Sequence, residues 1–176
     1  MWKPALPTLS ILALLTACTR EQATMPATMP GPEAGRIVIN EIAVNGEQGD
    51  WVELYNPGEP LTLEAGAWFI TDDAVGQPLL YKLPRLVLPR EGHVVIWCDP
   101  DEVTESGVHA GLGIGRRGAD LALFWSDGVH KVMVDEASVD GVTPQDMSFG
   151  RTPDGTMQWA TLTATPGATN GEVVEP

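Results

Sequence analysis

The stretch Trp51-Val-Glu-Leu-Tyr-Asn-Pro-Gly58 decides the fold of this chain. Successive side chains of a strand point to opposite faces, so Trp51, Glu53 and Tyr55 would share one face and the two aliphatic residues the other. The Asn-Pro-Gly sequence that follows is typical of a turn, because Asn and Gly tolerate positive φ. The stretch therefore predicts a β-strand that ends in a tight turn.

Seven further runs of the same character lie along the chain, with turn formers between them. The sequence Ser126-Asp-Gly128 between two such runs predicts a β-hairpin. No segment carries helical periodicity over three turns, so we predict an all-β sandwich of about eight short strands. The eight runs are Ile37–Ile42, Trp51–Tyr55, Ala67–Thr71, Leu79–Lys82, Leu86–Leu88, Val94–Trp97, Leu121–Trp125 and His130–Val134.

The N-terminus is typical of a secretory signal, with a charge at Lys3, an apolar run and then Leu15-Thr16-Ala17-Cys18. An apolar run of roughly 10–12 residues is too short to span a bilayer as a helix. The last four residues resemble the lipobox of bacterial lipoproteins, which implies cleavage before Cys18 and a lipid on its sulfur and new amino group. Thr19, in place of an aspartate, favours the outer membrane. The alternative is an ordinary signal peptide with a coincidental cysteine.

These patterns divide the chain into four segments. Residues 1–17 form the predicted signal peptide, and residues 18–35 form the lipidated cysteine with an extended tether rich in Pro, Thr, Ala and Met. Residues 36–170 form the predicted β-sandwich. Residues 171–176 are predicted to be a frayed tail.

Composition narrows the possible partners. Removal of the leader takes Lys3 with it and leaves nine basic against 24 acidic residues, a formal charge of −15. Such a chain is repelled by phosphate backbones, so we expect no nucleic-acid partner and attachment to the membrane through the lipid on Cys18 alone.

Cys98 is the only other cysteine, which leaves no intrachain disulfide. We expect it to be a small buried residue rather than a catalytic thiol.

Ordered blocks of the globule resemble the lamin-tail domain family, and together they cover residues 36–170. The opening, the middle strands, a Gly-rich turn and the closing pattern of that family are each matched. The matching blocks are Ile39–Ile42, Trp51–Gly58, Leu63–Trp68, Pro78–Pro84, Leu88–Trp97, Gly113–Leu123, Ser148–Gly155, Trp159 and Thr165–Asn170.

The resemblance implies an immunoglobulin-like β-sandwich that acts as a compact binding or scaffolding module, with no catalytic residues to carry over. The chain lacks the heptads that precede the domain in eukaryotic members. It also lacks the hydrolase or nuclease domains beside which bacterial members often occur. Polymer assembly and a fused catalytic partner are therefore not implied.

Glu41 and Glu53 are carboxylates within predicted strands, at positions that the family also fills with Glu. One interpretation is a paired-carboxylate acid/base site. The other, which we favour, is hydrogen bonding to loop backbone amides or to a nearby Arg.

Ligand-binding candidates are few. Arg116 and Arg117 form an adjacent basic pair that could hold a ligand carboxylate or phosphate, although such a pair is more often a solvated turn. Trp97 could present an aromatic surface, although half-buried packing is the more common role.

The three histidines match no metal motif, so no metal and no cofactor is predicted. Calcium at the acidic loops 72–73 and 99–102 is an alternative that we do not favour, because their spacing is not that of an EF-hand.

The sequence thus predicts a lipid-anchored, non-enzymatic module of the bacterial cell envelope that recognises an envelope protein or polysaccharide. Two alternatives stay open. One is a structural protein that self-assembles through edge-strand pairing. The other is a small envelope hydrolase that uses Glu41 and Glu53 or an acidic metal site.

Overall fold

The computed structural model describes residues 37–46, 49–98, 107–115 and 118–174, and these form twelve β-strands with no helix among them. No described segment is therefore a helix long and apolar enough to cross a membrane. The strands are β1 Val38–Gly46, β2 Gly49–Asn56, β3 Leu61–Leu63, β4 Trp68–Thr71, β5 Tyr81–Lys82, β6 Leu86–Leu88, β7 Gly92–Trp97, β8 Val108–His109, β9 Ala119–Ser126, β10 Lys131–Val139, β11 Met147–Arg151 and β12 Trp159–Thr163.

The strands form two main sheets and one small one. Sheet I has six strands in the order β12-β11-β1-β2-β7-β8, and sheet II has four in the order β10-β9-β4-β5. Strands β3 and β6 form a separate pair. Neighbouring strands are antiparallel except for the parallel pair β7–β8. The chain is thus an all-β protein, as predicted, built as a sandwich of sheets around one core.

The core follows from the alternation of side chains along the strands. Val52 and Leu54 of sheet I are fully buried in one apolar cluster with Ile70 and Leu123 of sheet II. Trp68 belongs to the same cluster with 4% of its surface exposed, which confirms its predicted place in the core. Burial of each such side chain contributes about 1.5–3 kcal/mol to stability.

All eight predicted runs contain a strand, and four more strands are present. The predicted hairpin at Ser126-Asp-Gly128 is confirmed, since it joins β9 to β10 and Gly128 has a φ of 90°. The additional strands are β3, β8, β11 and β12. They are short or interrupted by Ser, Gly, Thr and Arg, so their composition gave no β-branched run to detect.

The end of the chain also differs from the prediction of a frayed tail. Val173 forms a β-bridge with Leu162 of β12. The Val174 N–H donates to the Thr161 carbonyl at 2.9 Å, and the Thr163 N–H donates to the Glu172 carbonyl at 3.3 Å. Residues 171–174 therefore extend sheet I beyond β12 and cover part of its edge.

Candidate functional site

The two predicted glutamates lie side by side on sheet I. Glu41 of β1 is the direct antiparallel partner of Glu53 of β2. Their strand neighbours Val52 and Leu54 face the core, so the carboxylates project from the opposite face of the sheet. Both glutamates are 0% exposed, because the chain after β12 passes over them. We call the segment Thr165–Asn170 the closing loop.

Glu41 binds the start of the closing loop. One carboxylate oxygen accepts hydrogen bonds from the Thr165 N–H at 3.0 Å and from the Ser148 hydroxyl. The other oxygen accepts from the Thr165 hydroxyl at 3.2 Å. Three donors from two separate chain segments thus converge on one buried carboxylate.

Glu53 binds the middle of the same loop. Its Oε2 accepts from the Gly167 N–H at 2.7 Å, and its Oε1 accepts from the Asn40 side-chain amide at 3.2 Å. The predicted hydrogen bonds of these glutamates to loop backbone amides are therefore confirmed. Gly167 has a φ of 82°, a conformation that favours glycine and that aims its N–H at the carboxylate.

Asp154 completes a group of three carboxylates, which we call the carboxylate cluster: Glu41, Glu53 and Asp154. Its Oδ1 accepts from the Asn170 N–H at 3.0 Å and from the Asn40 amide at 3.1 Å. His93 Nε2 lies 3.2 Å from its Oδ2, and both of these side chains are less than a tenth exposed. Asn40 thus bridges two members of the cluster.

Burial raises the pKa of the two glutamates of the cluster. Loss of water raises the pKa of Glu53 from 4.5 to about 8, against the opposing hydrogen bonds of Gly167 and Asn40. Burial also raises the pKa of Glu41, and the charge of Asp154 adds to the increase for both glutamates. Raised carboxyl pKa values are common at catalytic sites. Here, however, both oxygens of each glutamate accept hydrogen bonds from the protein itself, from the closing loop and from residues of β1 or β11. Both side chains are 0% exposed.

A second buried polar site lies between the sheets and was not predicted. Arg151 is 1% exposed, and its NH2 nitrogen lies 2.9 Å and 3.1 Å from the two carboxylate oxygens of Asp135 on β10. Its other nitrogens donate to the carbonyls of Ile39 and Thr156 at 2.7 and 2.6 Å. The guanidinium also lies 4.8 Å from the centre of the Trp159 ring. A lone Arg within a Ser- and Gly-containing run gave no sequence signal for this role.

Of the three predicted ligand-binding residues, the structure describes Trp97. Trp97 is half-buried and packs edge-on against the buried Trp51, with ring centroids 6.4 Å apart. Arg116 and Arg117 lie outside the described residues, as does the lipidation candidate Cys18. Cys98 is buried, as predicted, and burial raises the pKa of its thiol to about 12.

The acidic loop at Asp72 and Asp73 forms a turn that a side chain of the loop stabilises. The Asp73 carboxylate accepts a hydrogen bond from the Gly76 N–H at 2.8 Å. In the part of the chain that the structure describes, no group of three or more His, Cys, Asp or Glu side chains is placed to hold a metal ion. The other acidic loop, residues 99–102, lies outside that part.

A surface groove of about 630 Å³ lies between β11–β12 of sheet I and one end of sheet II. Phe149 and Trp159 line it as a stacked aromatic pair, with ring centroids 5.1 Å apart and planes inclined by 18°. The remaining lining comes from β9, β10 and the turn after β4. It contains Ala, Val and Leu side chains and the carboxylates of Asp72, Asp73, Asp120 and Glu136. We call this feature the aromatic groove.

Comparison with known proteins gives no relative: no protein-family model, no curated protein and no solved structure matches this chain. The fold and the buried sites define an all-β sandwich whose carboxylates bind its own closing loop.

Proposed function

We propose that this protein is a lipid-anchored binding module of the bacterial cell envelope, held at the outer membrane by acyl chains on Cys18. The observation that carries the proposal is the sequence Leu15-Thr16-Ala17-Cys18 at the end of a short apolar run, ahead of a globular β-sandwich. An acyl pair is sufficient for stable anchoring. We further propose that the sandwich is immunoglobulin-like and related to the lamin-tail family, on the blocks between residues 36 and 170.

The burial and the hydrogen bonds of the two glutamates favour a binding function over catalysis. Glu41 and Glu53 are fully buried beneath the closing loop, and their oxygens accept hydrogen bonds from Thr165, Gly167 and Asn40. A hydrolase that used them would have to displace this loop before a substrate could reach either carboxylate. Their contacts are those of a structural clamp, so the proposed partner is an envelope protein or polysaccharide that meets the outer surface of the sandwich.

Self-assembly is the second candidate, and the strand order favours it over catalysis. Strand β10 is nine residues long and lies at the end of sheet II, with no strand beyond it among the described residues. The side chain of Met133 on this strand is 46% exposed. An edge strand can pair with a second chain where its backbone is not already bonded; on β10, Asp135 contacts Ile39 of β1 and divides the edge. Concentration-dependent sedimentation of the purified protein would support this candidate against a monomeric binding module.

Membrane attachment is tested by Cys18→Ala in the native host. We expect the wild-type protein to incorporate radiolabelled palmitate and the Cys18→Ala variant not to, because the acceptor thiol is absent. Membrane fractionation would not separate the two proteins, since a chain without Cys18 also keeps its uncleaved apolar leader. Cys98→Ala is the matched control, since it also removes a cysteine but leaves the lipobox intact. Palmitate incorporation by Cys18→Ala equal to that of the wild-type protein contradicts the proposal.

Partner recognition is tested by mild crosslinking of the tagged protein in cells, followed by affinity purification and mass spectrometry. One envelope protein enriched over the Cys18→Ala sample supports a binding module at the membrane. If no protein is enriched, glycan arrays test the polysaccharide partner. Failure of both assays contradicts the binding function.

A further inference from the structure

We propose that the aromatic groove binds an extended, positively charged peptide segment of a partner protein. This inference rests on the proposed binding function and names the chemistry of its partner. Three features of the groove carry it: its aromatic wall, its acidic lining and its position along an edge strand.

The aromatic wall is suited to a cationic side chain. Phe149 and Trp159 are only half-buried, although they pack against the core. The Trp159 ring already has one guanidinium nearby, that of Arg151 at 4.8 Å. Aromatic rings attract Lys and Arg through the negative faces of their π systems, and their apolar surface packs against the methylene stems of the same side chains.

The carboxylates of the groove supply the matching charge. None of the described lining residues is a Lys or an Arg. Asp120 and Asp73 bond within the protein, to the Ser138 hydroxyl and the Gly76 N–H. Asp72 and Glu136 are exposed, and their carboxylates have no hydrogen bond or ion pair with another described residue. A cationic partner would be attracted to them, whereas an anionic one would be repelled.

The position of the groove favours an extended chain over a compact ligand. Glu136, Ala137 and Ser138 of β10 form part of the lining, and β10 is the last strand of sheet II. A peptide that lies along an edge strand gains main-chain hydrogen bonds, while alternate side chains enter pockets beside it. The Glu136 N–H already bonds to the Asp135 carboxylate, so this pairing uses the other backbone groups of β10. Lys or Arg at alternate positions would then reach the aromatic pair and the carboxylates together.

Binding is tested with a fluorescent peptide of alternating lysine and threonine and its counterpart of alternating glutamate and threonine. The full-length protein in non-ionic detergent is titrated into each peptide, and fluorescence anisotropy is measured. We expect the lysine peptide to bind, the glutamate peptide not to bind, and added salt to weaken the complex. Absence of binding to the lysine peptide overturns the inference.

The double variant Asp72→Asn, Glu136→Gln assigns the binding to the groove. Both side chains are exposed, so the fold should be unaffected. We expect a loss of affinity of about tenfold, the combined effect of two partly exposed ion pairs. The matched control is Glu64→Gln, Glu172→Gln, which changes the net charge equally at exposed positions outside the groove. Equal losses in the two double variants would show attraction to overall charge and overturn the inference.

A neutral oligosaccharide is the competing occupant, because sugars also stack on aromatic rings. Binding of a neutral gluco-oligosaccharide by the protein, without binding of the lysine peptide, overturns the inference and leaves the proposed binding function in place. Palmitate labelling at Cys18 is independent of both peptides. The experiments therefore distinguish the absence of peptide binding in the groove from the absence of a lipid anchor on Cys18.

Discussion

The Arg151 side chain connects four parts of the chain from a position with almost no solvent exposure. It bonds to Ile39 of β1, to Asp135 of β10 and to Thr156 of the loop after β11, and it lies beside Trp159 of β12. A buried charge needs its partner and its hydrogen bonds together, because the cost of removing it from water is large. This residue therefore holds the two sheets in register at one side of the sandwich.

Replacement of Arg151 by Met tests this role. We expect the free energy of unfolding to fall by about 3–5 kcal/mol, because Asp135 is left largely buried without a counter-charge. Urea unfolding of the purified protein measures the change. In the double variant Arg151→Met, Asp135→Asn no charge is left unpaired, so part of the loss should be recovered. A double variant whose loss equals the sum of the two single losses would show that the pair is not coupled.

The carboxylate cluster acts at the scale of whole elements. Glu41 and Glu53 join strands β1 and β2 to the closing loop, and Asp154 adds the turn after β11. The two glutamate contacts run between residues more than a hundred positions apart in the chain, whereas Asp154 and Asn170 are 16 positions apart. The outer face of sheet I is thereby covered by backbone whose N–H groups are satisfied by side chains beneath it.

Stability should depend on pH through Glu53. Its pKa in the folded protein is about 8, above the ordinary 4.5, so the folded protein binds this proton more tightly than the unfolded chain. The contribution of Glu53 to the free energy of unfolding is therefore fully present below pH 4.5 and is lost as the pH rises towards 8, by at most about 1.4 kcal/mol per pH unit. Urea unfolding at a series of pH values measures this slope.

Glu53→Gln isolates the contribution of this carboxyl group. Glutamine has the shape of the neutral acid and does not ionise, so the variant should lose stability less steeply over the same pH range, with Glu41 responsible for a remaining slope. Glu64→Gln, at an exposed position, should leave the slope unchanged. The explanation fails if Glu53→Gln and the wild-type protein show the same dependence on pH.

The sequence predicts most of the β-strands but few of the side-chain contacts that join the two sheets and the closing loop. The turns and alternating runs around Trp51–Tyr55 and Leu121–Trp125 are local patterns, and they correctly predicted strands and a hairpin. The loop-amide role of Glu53 was also predicted, although its partner Gly167 was not. That contact joins residues distant in sequence, and the Arg151–Asp135 pair and the aromatic groove likewise depend on the arrangement of the sheets. Local periodicity carries no information about such pairings.

At the scale of the whole molecule, the reactivity of the Cys98 thiol measures whether the core is folded. It is 4% exposed within the main apolar cluster, and burial raises the pKa of its thiol to about 12. Only the thiolate reacts readily with disulfide reagents. The folded protein should therefore protect this residue through both inaccessibility and protonation.

The Cys18→Ala variant, in which Cys98 is the only thiol, makes this measurable. We expect negligible labelling by a thiol reagent under native conditions and rapid labelling in denaturant, with the midpoint of the labelling curve matching that of tryptophan fluorescence. Native labelling as fast as that of a free thiol would contradict the buried position. A labelling midpoint well below the fluorescence midpoint would show that the core opens before the whole sandwich unfolds.

The placement of the closing loop also sets the order in which the protein can be completed during synthesis. Glu41 and Glu53 leave the ribosome more than a hundred residues before the amides that bind them. The bridge between Val173 and Leu162 likewise forms only after all strands of sheet I have been made. A nascent chain can form hairpins, but its earliest strands lack their covering backbone until the closing loop has left the ribosome.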